Sequence, residues 1–161
     1  MTTTASTTAT TTASTAAPTT NGRVIALAHY AARALLEGVL TRHGATFEQS
    51  VTLQAVVRAG GSAGRDELVA DVTGSLKNDP SAVHGVIEGL TAAGLLEADP
   101  AETSRLRLTD AGRELHESAG AESALTSARL YAGIPAEDLA VAGRVLTLIT
   151  ERANAELAGA S

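Results

Sequence analysis

Hydrophobic residues along this chain recur mostly at three- and four-residue spacing, the period of a helix with one buried face. Ile25, Ala28, Ala32, Leu35, Leu36, Val39 and Leu40 share one face and predict a first helix from Arg23 to His43, closed by Gly44. Thr46 followed by Gln49 three residues on has the capping-box pattern. A second helix therefore starts there and continues through Val51, Ala55 and Val56 to Gly60-Gly61. A short third helix over Arg65–Thr73 turns Leu68, Val69 and Val72 inward. Asp79 caps a fourth with Pro80 at its first position, where a missing N–H costs nothing; Val83, Val86, Ile87 and Leu90 form its stripe. Leu95–Ala98 and Arg105–Thr109 alternate instead, predicting a small hairpin around a proline-containing loop. Asp110 opens a fifth helix to about Ala132, and Ile134-Pro135 precedes a sixth from Ala136 to Leu157. The last helix repeats Leu139, Ala142, Leu146, Ile149 and Ala153 on a single face.

The order is a long helix, a three-helix unit, a hairpin and two long helices. It predicts a mainly α fold: a winged helix-turn-helix over 46–109 with the hairpin as wing, flanked by helices at 23–43 and 110–157. The outer helices are apolar over more surface than one such unit covers. A second copy of the chain is the expected cover, so the flanking helices are read as dimerisation helices and the protein as a homodimer. Residues 1–22 are almost entirely Thr, Ala and Ser up to an Asn21-Gly22 turn. They are too poor in hydrophobic side chains to fold and read as a disordered tail ahead of a single domain over 23–158. No basic segment precedes an apolar one, so the tail is not a secretory signal. No later stretch approaches the ~20 apolar residues of a membrane span, and the chain reads as cytoplasmic, without a membrane partner.

Composition sharpens the core and complicates the surface. Apolar residues make up 44% of 161, mostly Ala, Leu and Val, with Tyr30, Phe47 and Tyr131 as the aromatics. Such a core is built from closely packed helix faces. The absence of cysteine removes disulfides, thiolate metal sites and thiol switches. Net charge is −6, and the local distribution is sharper. From Asp79 to Ser104 there is no lysine or arginine, while Asp79, Glu88, Glu97, Asp99 and Glu102 are all acidic. This segment is the end of a winged helix that normally touches DNA, and non-specific DNA affinity comes from neutralising phosphates. The cations left near that end are Arg65, Lys77, Arg105 and Arg107. A dimer doubles them, which sustains weak, salt-sensitive binding to double-stranded DNA. Ser81 and His84 are the side chains left to read bases.

The sequence resembles the MarR-type (multiple-antibiotic-resistance regulator) winged-helix family. The resemblance spans about Arg23 to Leu157 and rests on Phe47-Glu48-Gln49, Asp79-Pro80-Ser81-Ala82-Val83, the run from Val86 through Gly94-Leu95-Leu96-Glu97, Leu106-Arg107-Leu108-Thr109-Asp110-Ala111-Gly112, and Pro135-Ala136-Glu137-Asp138-Leu139. It implies dimeric, ligand-responsive regulation of transcription, with the fourth helix in the major groove and the wing at the adjacent minor groove. Family members usually carry arginine or a polar reader around the positions of Gly85 and Gly89, and an Asp-x-Arg pattern at the wing tip. Here the tip reads Asp99-Pro100-Ala101-Glu102. The family also implies that the first helix lines an effector cleft. His29, Tyr30 and Arg33 cluster there and suit a small aromatic, phenol or carboxylate, or else belong to the dimer interface.

Other features carry less chemistry. His84 and Glu88, at i,i+4, have the spacing of a proton-transfer pair, though most such pairs are surface contacts of a few tenths of a kcal/mol. Ala82, Gly85, Gly89 and Ala92-Ala93 leave a stripe of small residues on the fourth helix. His29, His43 and His116 are too dispersed for a metal site. The glycine-rich segment 60–65 lacks the Lys-Ser/Thr of a nucleotide loop and reads as a helix–helix connection, with no cofactor implied. Two functions remain open. The first is a DNA-binding transcriptional regulator with a small-molecule effector and no catalytic residues. The second is the same fold repurposed as a metabolite- or partner-binding protein, or as an acid–base enzyme using His84 and Glu88.

Overall fold

A computed structural model describes residues 19–160. The expected tail lies outside the described residues as far as Pro18. The described residues divide into two units, one ending at Ala34 and the other beginning at Leu35. In the first, α1 (Gly22–Arg42) begins one residue earlier than its apolar pattern indicates, because Asn21 caps it. The Val24 N–H donates to Asn21 Oδ1 at 3.1 Å, satisfying one of the free amides of the first turn. By length and composition α1 is apolar enough to cross a membrane. This differs from the sequence expectation, since Ala and Leu raise the average although Arg33 and Glu37 interrupt the run.

The second unit starts within α1 and contains α2 (Phe47–Arg58), β1 (Ser62–Gly64), α3 (Arg65–Leu76), α4 (Pro80–Ala92), β2 (Leu96–Ala98), β3 (Arg105–Leu108), α5 (Asp110–Tyr131) and α6 (Ala136–Gly159). This is the mainly α winged helix-turn-helix that the pattern predicts. Both halves of the Thr46/Gln49 capping box are formed. Leu53, Val56, Leu68, Val72, Val83, Ile87, Leu90, Leu96, Leu106 and Leu108 make one core between α2, α3, α4 and the sheet.

The wing is larger than a hairpin. β1, β3 and β2 form an antiparallel sheet in that order, with Ala63 opposite Leu106 and Glu97 opposite Arg107. The glycine segment expected to be only a loop therefore supplies a strand. Gly60 and Gly61, at φ +85° and +92°, turn the chain out of α2 so that Ala63 faces the core beside β3. Helix α3 also outruns its predicted end at Thr73. Leu76 packs against the core, and Lys77 closes the helix in the left-handed region at φ 56°, its N–H donating to Thr73 O.

A tight junction joins wing and α5. The Thr109 hydroxyl donates to Gly94 O at 2.7 Å and accepts the Gly112 N–H at 3.0 Å. A Cβ on Gly112 would stand 2.1 Å from the Leu95 carbonyl oxygen, so only glycine permits this approach. The far end is different. No residue of α6 is buried, and Val141, Val145, Leu146, Leu148, Ile149 and Leu157 are exposed.

Candidate nucleic-acid interface and ligand cavity

Helix α4 buries Val83, Ile87 and Leu90 and thereby turns Ser81, Ala82, His84, Gly85, Glu88 and Gly89 outward. Ser81 is already engaged: its N–H and its hydroxyl both donate to Asp79 Oδ1, at 2.8 and 2.6 Å. Those two bonds, the side-chain one foremost, hold the Asp79 carboxyl below its ordinary range. His84 and Glu88 are exposed, and no hydrogen bond or ion pair joins them. The acid–base pairing that their spacing permits is not formed.

The four candidate cations fall into two kinds. Arg65, at the start of α3, and Lys77, after its end, are exposed, and their side chains make no hydrogen bond or ion pair among the described residues. Arg105 and Arg107 lie on the outward side of β3, as alternation predicts, but both are occupied. Arg107 Nε donates to Glu97 Oε1 at 2.8 Å, and its Nη2 lies 2.6 Å from the same oxygen. Arg105 Nε donates to Ser62 Oγ at 3.2 Å and its Nη2 to the Ser62 carbonyl at 2.7 Å, with Glu67 4.0 Å away. Ser62 Oγ in turn donates to Asp99 Oδ2 at 2.8 Å. The Ala101 N–H first, then Ser62, hold the Asp99 carboxyl below its ordinary range, and the charges of Arg107 and Arg105 add to this.

A cavity of about 350 Å³ opens between the end of α1, α2 and α5. Leu36, Leu40, Leu53 and Leu115 make its apolar wall, while Gln54 and His116 are among its polar groups. No aspartate, glutamate, lysine or arginine lines it. Close by on α5, Glu122 accepts from Arg42 Nε at 2.9 Å and meets His43 Nε2 at 2.9 Å, pinning the end of α1 to α5. The Arg42 bond, then the His43 bond, depress the Glu122 carboxyl. Neither the cavity nor this cluster was singled out from the sequence. In the first unit, His29 and Tyr30 touch edge to face at 5.4 Å, with Tyr30 exposed and Arg33 half-buried. Among the described residues no group of three or more His, Asp or Glu side chains is placed to hold a metal ion.

Three helices around a core, a three-stranded wing and long flanking helices define a winged helix-turn-helix fold. Solved structures share this architecture. A MarR-family transcriptional regulator from a Rhodococcus species is 23% identical, with 80% of this chain and 92% of that one covered at a TM-score of 0.64. CouR from Rhodococcus jostii, bound to p-coumaroyl-CoA, is 20% identical over 80% and 90% of the chains, at 0.69. A MarR-family protein of Mycobacterium tuberculosis in complex with p-aminosalicylic acid is 21% identical over 81% and 98%, at 0.63. At these identities the likeness is one of fold. No protein-family model matches the sequence, and no curated protein does.

Proposed function

We propose that this chain is a DNA-binding transcriptional regulator of MarR type, acting as a cytoplasmic homodimer whose affinity for DNA responds to a small aromatic effector. The observation that carries this reading is the match of fold over about four-fifths of the chain to regulators of that family. The cavity supports the effector half. Its volume suits a molecule of one or two rings, and its lining offers hydrogen bonds without a fixed charge, which favours a phenol-like ligand over a carboxylate held by arginine. The exposed apolar residues of α6 support the dimer half, because apolar surface of that extent marks an interaction site. DNA contact falls first to Arg65 and Lys77, with His84 as the free reader on α4.

Fluorescence anisotropy with a labelled duplex from upstream of the chain's own gene tests the reading. Binding in preference to a random duplex of equal length, weakened by an aromatic effector, is the expected result. Equal or absent retention of both duplexes overturns it. A second reading, the fold repurposed away from DNA, is favoured by one observation: the outward face of α4 presents no cation. On that reading the cavity would be the working site. His84 and Glu88 lie outside that cavity and are not paired, which speaks against an acid–base role for them.

A further inference from the structure

An arginine on a sheet can swing to a phosphate only if nothing on the sheet holds it. Both arginines of β3 are held. Glu97 sits opposite Arg107 in the strand register, so the ladder itself presents the carboxylate to the guanidinium. Arg105 is drawn onto Ser62, whose hydroxyl is oriented by Asp99. A partner placed by the backbone acts at an effective concentration that a phosphate arriving from solution must exceed. That phosphate would also approach Glu97, Asp99 and Glu102, all of its own sign.

We propose that Glu97 and Asp99 set the DNA affinity of this chain by retaining Arg107 and Arg105 as internal partners. The wing then meets the phosphate backbone as an almost neutral element, and the counterions released on binding are few. This rests on the DNA-binding reading above and adds to it a pair of acidic positioning residues. Neutralising Glu97 removes the charge that holds Arg107, while neutralising Asp99 loosens Arg105 through Ser62, whose carbonyl still accepts from that arginine.

The test measures affinity for the upstream duplex across a salt series. It compares wild type with Glu97→Gln, Glu97→Gln/Arg107→Ala and Glu114→Gln. Glutamine keeps the shape of residue 97 but removes the charge that offsets Arg107. Glu114, exposed on α5 with no basic partner, controls for net charge. Glu97→Gln should bind more tightly at low salt, with a log–log salt slope steeper by about 0.9 for each arginine freed. That corresponds to roughly threefold more affinity lost between about 50 and 200 mM salt per added contact. The double variant should return to the wild-type slope, and Glu114→Gln should leave the slope unchanged. Asp99→Asn, which keeps an acceptor for the Ala101 N–H, should act in the same direction through Arg105. It decides the matter if Glu97→Gln does not fold. Equal slopes for Glu97→Gln and wild type, while both bind, overturn the proposal alone. So does a Glu114→Gln gain that matches Glu97→Gln. If neither wild type nor Glu97→Gln retains any duplex, the DNA-binding reading falls and takes the proposal with it.

Discussion

The winged unit from α2 to β3 and the terminal helix α6 contain similar proportions of aliphatic side chains but dispose of them in opposite ways. In the first, Val56, Ile87 and Leu90 are fully withdrawn from solvent. In the second, Leu146, Leu148 and Ile149 are each more than a third exposed. The winged unit closes its own core because three short helices and a sheet present their apolar faces toward a common centre. Helix α6 follows the same helical period, yet none of its residues is buried among the described residues. On the proposed dimer, the difference separates what one copy of this chain stabilises alone from what a second copy would cover. Removing side chains from the two regions should therefore have unequal consequences.

The largest expected effect is at the centre of the winged unit. Ile87→Ala should cost about 2–5 kcal/mol of unfolding free energy, from lost transfer energy and the cavity left behind. The same truncation at Ile149 should change the stability of a single chain by only about 0.5 kcal/mol or less. Its effect should instead appear as a concentration dependence of the melting temperature. Urea titrations at low protein concentration check both. Equal losses at the two positions would erase the distinction between the regions. Next in size is Gly112→Ala, whose new methyl would meet the Leu95 carbonyl at 2.1 Å. Displacing that backbone should cost about 1–3 kcal/mol, which a thermal melt would register as a lower midpoint.

These regions also differ in how much of them could be read from sequence. The start of helix α4 was legible to the residue because its signals are local: a capping Asp79, Pro80 beside it, and a stripe at helical spacing. The capping box of α2 was legible for the same reason. β1 was not, because Ser62-Ala63-Gly64, within a glycine-rich segment, become a strand only through β3, some forty positions later. The outward direction of Arg105 and Arg107 followed from alternation. Their capture by Glu97 and Ser62 did not, although the hairpin register placed Glu97 within reach of inference. The cavity and the Arg42/His43–Glu122 cluster join segments far apart in sequence, and nothing local marks Gln54, His116 or Glu122 as members of a site.

The smallest expected effect lies at that cluster. Arg42 foremost, and then His43, lower the folded-state pKa of Glu122 below its ordinary 4.5. A carboxylate depressed in this way contributes stability that is present above its unfolded pKa and is lost as pH falls through the folded one. Glu122→Gln should therefore lower the melting temperature slightly near neutrality, converge with wild type in acid, and make the decline between about pH 5 and pH 3 shallower than in wild type. Asp79 and Asp99, depressed by their own hydrogen bonds, keep part of the acid sensitivity in the variant. Parallel acid limbs for variant and wild type would show that the end of α1 is not pinned to α5 through this carboxylate.

The central proposal is that the self-sufficient winged unit and the exposed terminal helix belong to one dimeric DNA-binding protein. Sedimentation velocity of the purified chain, alone and with a labelled duplex from upstream of its gene, tests both parts in one experiment. The expected result is a free species of twice the chain mass and a complex of two chains on one duplex. A species of single chain mass that leaves the duplex sedimenting unbound would contradict it.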